Sequence, residues 1–179
     1  MLTAINPATG EVVREVKPDD DAVTDGKLAL AQEAFGAWRQ LSFAKRADVL
    51  KSVAAYMREN LDDMAPVMTE EMGKPIKEGR AEVEKSAWCA EHYAENAKDY
   101  LANLTLPSDA THSYVQHLPL GVVMGILPWN APFWLAFRFA SPSLMAGNTC
   151  VMKHDPHVPG CAETIAKAFD EAGAPAGVF

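Results

Sequence analysis

Among the polar side chains between residues 121 and 153, three have the chemistry to act on a ligand: Asn130, Arg138 and Lys153. Asn130 carries two amide N–H donors and lies between Pro128 and Pro132, where the backbone has little freedom. A donor fixed in this way can stabilise a developing oxyanion. The ordinary use of such an asparagine is an Asx-turn or a helix cap ahead of Pro132. Arg138 interrupts the apolar run 133–139, FWLAFRF, and a charge in that setting needs a counter-charge. A ligand carboxylate would supply one through a forked pair; a nearby Asp or Glu of the protein is the alternative. Lys153 is a flexible ammonium suited to ribose hydroxyls or a phosphate, although a lysine at a strand end is most often simply solvated.

Other groupings carry less. The spacing Cys150-x3-His154-x2-His157-x3-Cys161 superficially suggests a metal set. However, Cys150 falls inside an expected strand, and Pro156 and Pro159 stiffen the intervening turn, so no metal is expected. His92, His112 and His117 have no base-like context. The acidic sets Glu70-Glu71 and Glu82-Glu84 read as solvated faces.

The elements that must hold the three polar groups follow from local pattern. Residues 121–127 form a continuous apolar run rich in β-branched types, which predicts a strand buried on both faces. Pro128 ends it, residues 129–131 form a tight turn, and Pro132 opens a helix over 133–145. Gly147-Asn148 stops that helix. A second apolar run from Thr149 ends at Lys153. Strand, helix and strand make one right-handed crossover of a parallel sheet, and ligands of such sheets gather beyond the carboxyl ends of the strands. The first turn is not G-x-G-x-x-G, and the second strand ends in a cation rather than an acid, so a dinucleotide would bind here in a variant manner.

The order Pro128-Trp129-Asn130-Ala131-Pro132, then Leu144-x-Ala146-Gly147-Asn148-Thr149, then Lys153 is similar to the motifs of the aldehyde dehydrogenase superfamily. The run Lys153-His154-Asp155-Pro156-His157-Val158-Pro159-Gly160-Cys161-Ala162 resembles the succinate-semialdehyde dehydrogenases within it. The likeness extends from residues 5–11, INPATGE, to residues 173–179, GAPAGVF.

The resemblance implies an α/β fold: the amino-terminal part of the aldehyde dehydrogenase fold, with a helical subdomain, an incomplete Rossmann-like parallel sheet and an oligomerisation strand. It implies oxidation of an aldehyde, succinate semialdehyde to succinate, with NAD or NADP. Asn130 would hold the oxyanion of a covalent thiohemiacetal. Leu127, Pro128 and Trp129 would line the nicotinamide side of the cofactor cleft, with Lys153, His154, Asp155 and Pro156 also at the cofactor. Pro156 stands where NAD-preferring members commonly have a glutamate, so the choice between NAD and NADP stays open. Arg138 would bind the far carboxylate of the substrate, with Ala131 and Leu135 on the same helical face. Ala131 replaces a usual phenylalanine, which implies a wider tunnel. None of Cys89, Cys150 and Cys161 matches the family nucleophile.

Earlier segments read as scaffold. Residues 1–16 suggest a short strand pair around the turn Asn6-Pro7-Ala8-Thr9-Gly10. An acidic cap at residues 19–21 starts a helix to Trp38, with Val23, Leu30, Ala34 and Trp38 on one face. Ser42 caps a second, on which Phe43, Ala47, Leu50, Ala54, Met57 and Leu61 recur. A third helix ends near Gly73. Pro75 opens the longest, whose stripe is Ile76, Arg80, Val83, Ala87, Ala90, Ala94, Ala97 and Leu101. Residues 111–118 are β-like and resemble the family's arm that pairs with a sister subunit, implying a homo-oligomer, dimer or tetramer. After Lys153 a helix is expected over 160–172, then the start of a third strand at 176–179.

The expected organisation is residues 1–110 (strands and helical subdomain), 111–120 (oligomerisation strand and turn) and 121–179 (first part of the cofactor domain). The catalytic domain is expected to be absent, making this an amino-terminal fragment inactive alone. Two alternatives are a non-catalytic interaction fragment and a dehydrogenase of another aliphatic aldehyde. The chain has 179 residues, is 49% hydrophobic and carries a net charge of −8. That charge disfavours nucleic acid and anionic membranes as partners. No stretch is apolar enough for a bilayer span, and three cysteines do not make a disulfide framework. A reducing cytoplasm is the expected compartment.

Overall fold

The computed structural model describes residues 1–179. Strands β1 (Leu2–Ile5) and β2 (Val12–Val16) pair antiparallel around the expected turn. Asp20 caps α1 (Asp21–Trp38) by accepting from Val23 N at 3.0 Å. Ser42 does the same for α2 (Phe43–Glu59) through Lys45 N. Asn60 ends α2 and starts α3 (Leu61–Met72), so Leu61 belongs to α3 and not to the α2 stripe. Gly73, at φ 75°, terminates α3 in the left-handed region that glycine tolerates. A side chain there would press on the Pro7 ring at 2.8 Å. Helix α4 (Ile76–Tyr100) follows, then β3 (Leu104–Thr105) and β4 (Tyr114–Val115), a two-residue antiparallel pair. Strand β5 (Val122–Ile126), helix α5 (Pro132–Met145) and strand β6 (Thr149–Lys153) form the crossover, and α6 (Pro159–Glu171) closes the chain.

The core lies where α4 meets α2, α3 and α5. Its buried face begins at Gly79 and continues through Glu82, Val83, Ser86, Ala87 and Ala90 to Ala97. Ile76 and Arg80 are exposed, which corrects the first turn of the expected stripe: Arg80 faces out to pair with Asp62. Small residues let α2 and α5 approach closely. Phe133, Phe137 and Leu144 of α5 are fully buried against them, and each such side chain contributes about 1.5–3 kcal/mol on burial. Phe137 and Phe169 stack at 5.6 Å, and Phe169 on Phe179 at 4.2 Å, tying α5, α6 and the last residue together.

Helix α1 also departs from expectation. Ala31 and Trp38 are its buried residues, whereas Val23 and Leu30 are exposed. Polar anchors fix it: Trp38 Nε1 donates to Leu144 O at 3.0 Å, and Thr149 Oγ1 donates to Ala31 O at 2.9 Å. Strand β5 is not buried on both faces. Gly125 packs so closely on the Phe139 ring that a Cβ would lie 2.7 Å from it, yet Met124 and Ile126 are 57% and 72% exposed. Helix α5 covers one face and leaves alternate residues of the other open. No third strand forms at 176–179; Cys150 N donates to Val178 O at 2.9 Å beside β6, a single bond. Of the expected strand at 111–118, only Tyr114 and Val115 are paired. No helix is long and apolar enough to cross a membrane.

Candidate functional site

Parallel strands β5 and β6 are in register from Val122↔Thr149 to Ile126↔Lys153, and Leu127 N donates to Lys153 O at 3.0 Å. The two strands therefore end at one level, and the turn 128–131 leaves from the same edge that carries Lys153. Asn130 is exposed there. It does not cap α5: the N-cap residue is Ala131, and no side chain of the turn makes a cap bond. The amide of Asn130 is thus left free, with only its backbone oxygen engaged, accepting from Lys74 Nζ at 3.0 Å. Pro128 and Trp129 are exposed beside it, Leu127 is half-buried, and Lys153 is exposed and enters none of the salt bridges.

Glu82 replaces the missing local cap of α5. Its Oε1 accepts from Phe133 N at 3.0 Å and from Trp134 N at 3.1 Å, and its Oε2 pairs with Lys74 Nζ. Glu71 serves α6 in the same way, accepting from Gly160 N at 2.7 Å and Cys161 N at 2.9 Å, with Arg14 Nε of β2 at 3.1 Å. Helix N-termini carry unsatisfied N–H groups and partial positive charge, so a carboxylate satisfies both needs. Expected as solvated, Glu71 and Glu82 are 4% and 8% exposed; Glu70 and Glu84 do face out. Between β5 and α6 lies a shallow recess lined by Leu127, Pro128, Pro132, Met152, His154 and Val158.

Burial and the adjacent Lys153 charge lower the His154 pKa below the ordinary 6.5, against smaller opposing pulls from Asp155 and Glu163. Unfolding releases that constraint, so the unfolded chain takes up the proton more readily. Stability is therefore undiminished above the unfolded value and falls as pH drops below it. Partial burial pushes Asp155 up, but hydrogen bonds from the His157 backbone and ring, with the His157 and Lys153 charges, outweigh it and hold the carboxyl below its usual range. The expected result is a melting temperature that falls as pH drops below about 6.5, and less so in His154→Asn. Equal slopes in the two proteins would remove His154 from the account.

His157 Nδ1 lies 2.6 Å from Asp155 Oδ1, a pair two residues beyond the tip of β6. Pro156 is exposed between them. The cysteines are all buried. Burial pushes the Cys150 thiol up to about 12, and raises Cys161 and Cys89 as well. No group of three or more His, Cys, Asp or Glu is placed to hold a metal ion.

Arg138 is exposed and has no carboxylate partner in the chain. Its guanidinium carbon lies 5.7 Å from the Trp134 ring centre, and Lys85 Nζ of α4 lies 3.9 Å from the same ring. Two cations thus flank one indole, with Ala131 and Leu135 half-buried on the same helix face.

The model of the aldehyde dehydrogenase family matches residues 1–179. The chain belongs to the aldehyde dehydrogenase family. It is 44% identical over 178 residues to the Synechocystis sp. protein named "Probable succinate-semialdehyde dehydrogenase [NADP(+)]", covering 99% of this chain and 39% of that one. It is 41% identical over 184 residues to succinate-semialdehyde dehydrogenase [NADP(+)] of Mycobacterium avium, again 99% and 39%. Among solved structures, succinic semialdehyde dehydrogenase from Streptococcus pyogenes in complex with NADP+ superimposes with a TM-score of 0.94 at 31% identity, covering 98% of this chain and 39% of that one. The chain thus spans about two fifths of the length of these family members.

Within this family member, sequence reasoning missed Lys74, Glu82, Glu71 and Lys85. Glu82 had a readable signal. It stands three residues after Gly79 and four before Ser86, on the buried stripe of α4. Glu71 likewise follows Met64 and Met68 at helical spacing. Lys85 had no signal, because its neighbour Trp134 lies on another helix.

Proposed function

We propose that this chain supplies the cofactor edge and part of the substrate channel of an aldehyde dehydrogenase that oxidises succinate semialdehyde to succinate with NAD or NADP. The observation that carries the reading is the free guanidinium of Arg138 on the helix that starts at the Asn130 turn. From Ala131 to Arg138 the helix rises about 10 Å. Helical side chains lean toward the N-terminus, and the guanidinium lies beside Trp134, one turn back. The remaining gap to Asn130 suits an aldehyde whose carboxylate is only a few carbons away. Lys85 adds a second positive charge at that end.

In this reading Asn130 donates its amide N–H to the oxygen that becomes negative when the aldehyde carbon is attacked. The attacking thiolate is assigned to none of Cys89, Cys150 and Cys161, since all three are buried and burial disfavours a thiolate. The chain's edge fits a dinucleotide in two respects: Lys153 has a free ammonium at the β6 tip, and exposed Pro128 and Trp129 offer an apolar shelf at the neighbouring β5 tip. A nicotinamide held there would supply the hydride acceptor for the oxidation. Leu127, His154, Asp155 and Pro156 complete the cofactor side, and the substrate side is Ala131, Leu135 and Arg138. Residues 1–110, 111–120 and 121–179 act as scaffold, intersubunit arm and cofactor edge. Exposed Tyr114, Val115 and Leu118 suit the arm to an antiparallel partner strand. The compartment is the cytoplasm.

The test is a chimaera in which residues 1–179 replace the matching segment of the Synechocystis protein. The expected outcome is NAD(P)H formation with succinate semialdehyde, preferred over butanal, and no turnover by the 179-residue chain alone. A folded chimaera without NAD(P)H formation, or turnover by the isolated chain, overturns the reading. A chain that instead titrates a full-length homologue into mixed oligomers without binding either cofactor is an interaction fragment.

A further inference from the structure

We infer that Lys74 and Glu82 are positioning residues for Asn130, a role that rests on the oxyanion reading above. The turn between β5 and α5 has no internal side-chain bond to fix it: Ala131 is a capless N-cap and the Asn130 amide is free. Its shape is imposed from the helical layer. Glu82 takes the amides of Phe133 and Trp134 at 3.0 and 3.1 Å, clamping the first turn of α5. Lys74 Nζ takes the Asn130 carbonyl at 3.0 Å, clamping the peptide that carries the amide donor. The two clamps are joined by the Lys74–Glu82 ion pair.

Lys74 is itself anchored. The left-handed Gly73 redirects the chain after α3, and Thr69 Oγ1 donates to Lys74 O at 2.7 Å. Both side chains are nearly buried, 11% exposed for Lys74 and 8% for Glu82, so water competes little for the Glu82 bonds, while the Lys74 bond reaches out to the exposed turn. A buried ion pair is weak evidence of added stability, because desolvation offsets attraction. Here each partner also holds a backbone group of one turn, which gives the pair a geometric job. Displacing an oxyanion donor by a fraction of an ångström reduces only what the donor does in the transition state.

In the chimaera, Lys74→Met and Glu82→Gln are each expected to lower kcat by about tenfold or more, with KM for aldehyde and cofactor within about twofold. Glu82→Gln keeps an acceptor for the two α5 amides and should lose less than Glu82→Ala. In the 179-residue chain, Lys74→Met should move the carbonyl carbon resonance of Asn130 and the amide of Ala131, while those of α2 and α6 stay in place. An unmoved Asn130 carbonyl in the folded variant overturns the inference. So does an unchanged kcat in Lys74→Met when Asn130→Ala is crippled. If Asn130→Ala itself leaves kcat intact, the oxyanion reading fails and this inference with it. The carbonyl measurement needs no turnover, so it reads the clamp even if a variant chimaera fails to assemble.

Discussion

Asn130→Ala in the chimaera is expected to lower kcat about a hundred- to a thousandfold, the range observed when one oxyanion donor is lost, and to leave KM for succinate semialdehyde and for NADP nearly unchanged. The side chain makes no bond in the resting chain, so nothing else is removed with it. The carbonyl that Lys74 grips is backbone and survives the substitution, as do the amides held by Glu82. The turn therefore keeps its course, and the loss falls on the chemical step. A variant whose KM rises in proportion to the fall in kcat/KM, with kcat intact, would show that Asn130 binds substrate and not the developing charge. Thermal melting of Asn130→Ala should match the parent, because an exposed, unbonded amide contributes little to the fold.

Arg138→Ala is expected to raise KM for succinate semialdehyde by about ten- to a hundredfold, with KM for butanal moving by less than about threefold. Charge-assisted hydrogen bonds are each worth about 1.5–3 kcal/mol, and only the first of these substrates carries the carboxylate that can make them. The resting guanidinium has no ion pair to lose, so its removal costs the fold little. Lys85→Met should move the same constant in the same direction but less, since an ammonium offers no fork. Equal shifts for both aldehydes would make Arg138 a structural residue.

The strand–helix–strand unit was legible because its punctuation is chemical. Pro128, Pro132 and Gly147 mark element ends by restricting or freeing the backbone, and the observed bounds of α5 and β6 follow them. The exposure of Asn130 and Lys153 at one edge follows from the rule for parallel strands. The caps were not legible in the same way, since a carboxylate that satisfies a distant helix end leaves no local mark beyond its place on a buried stripe. Glu82 was masked by its charged neighbour Glu84, and the pair looked like one solvated face. The outward turn of Val23 and Leu30 has a related cause. Periodicity shows that a helix has an apolar side, but here Trp38 and Thr149 fix the rotation of α1 through hydrogen bonds to backbone oxygens that no local pattern records.

Glu71 and Glu82 also constrain any diphosphate that approaches this edge. In a common dinucleotide fold the ligand's negative charge rests on the free amides where a helix begins. At the starts of both α5 and α6 that seat is already filled by the protein's own anion. A diphosphate at this edge therefore finds neither helix start open to it, and the unpaired ammonium of Lys153 is the positive charge these strand tips present.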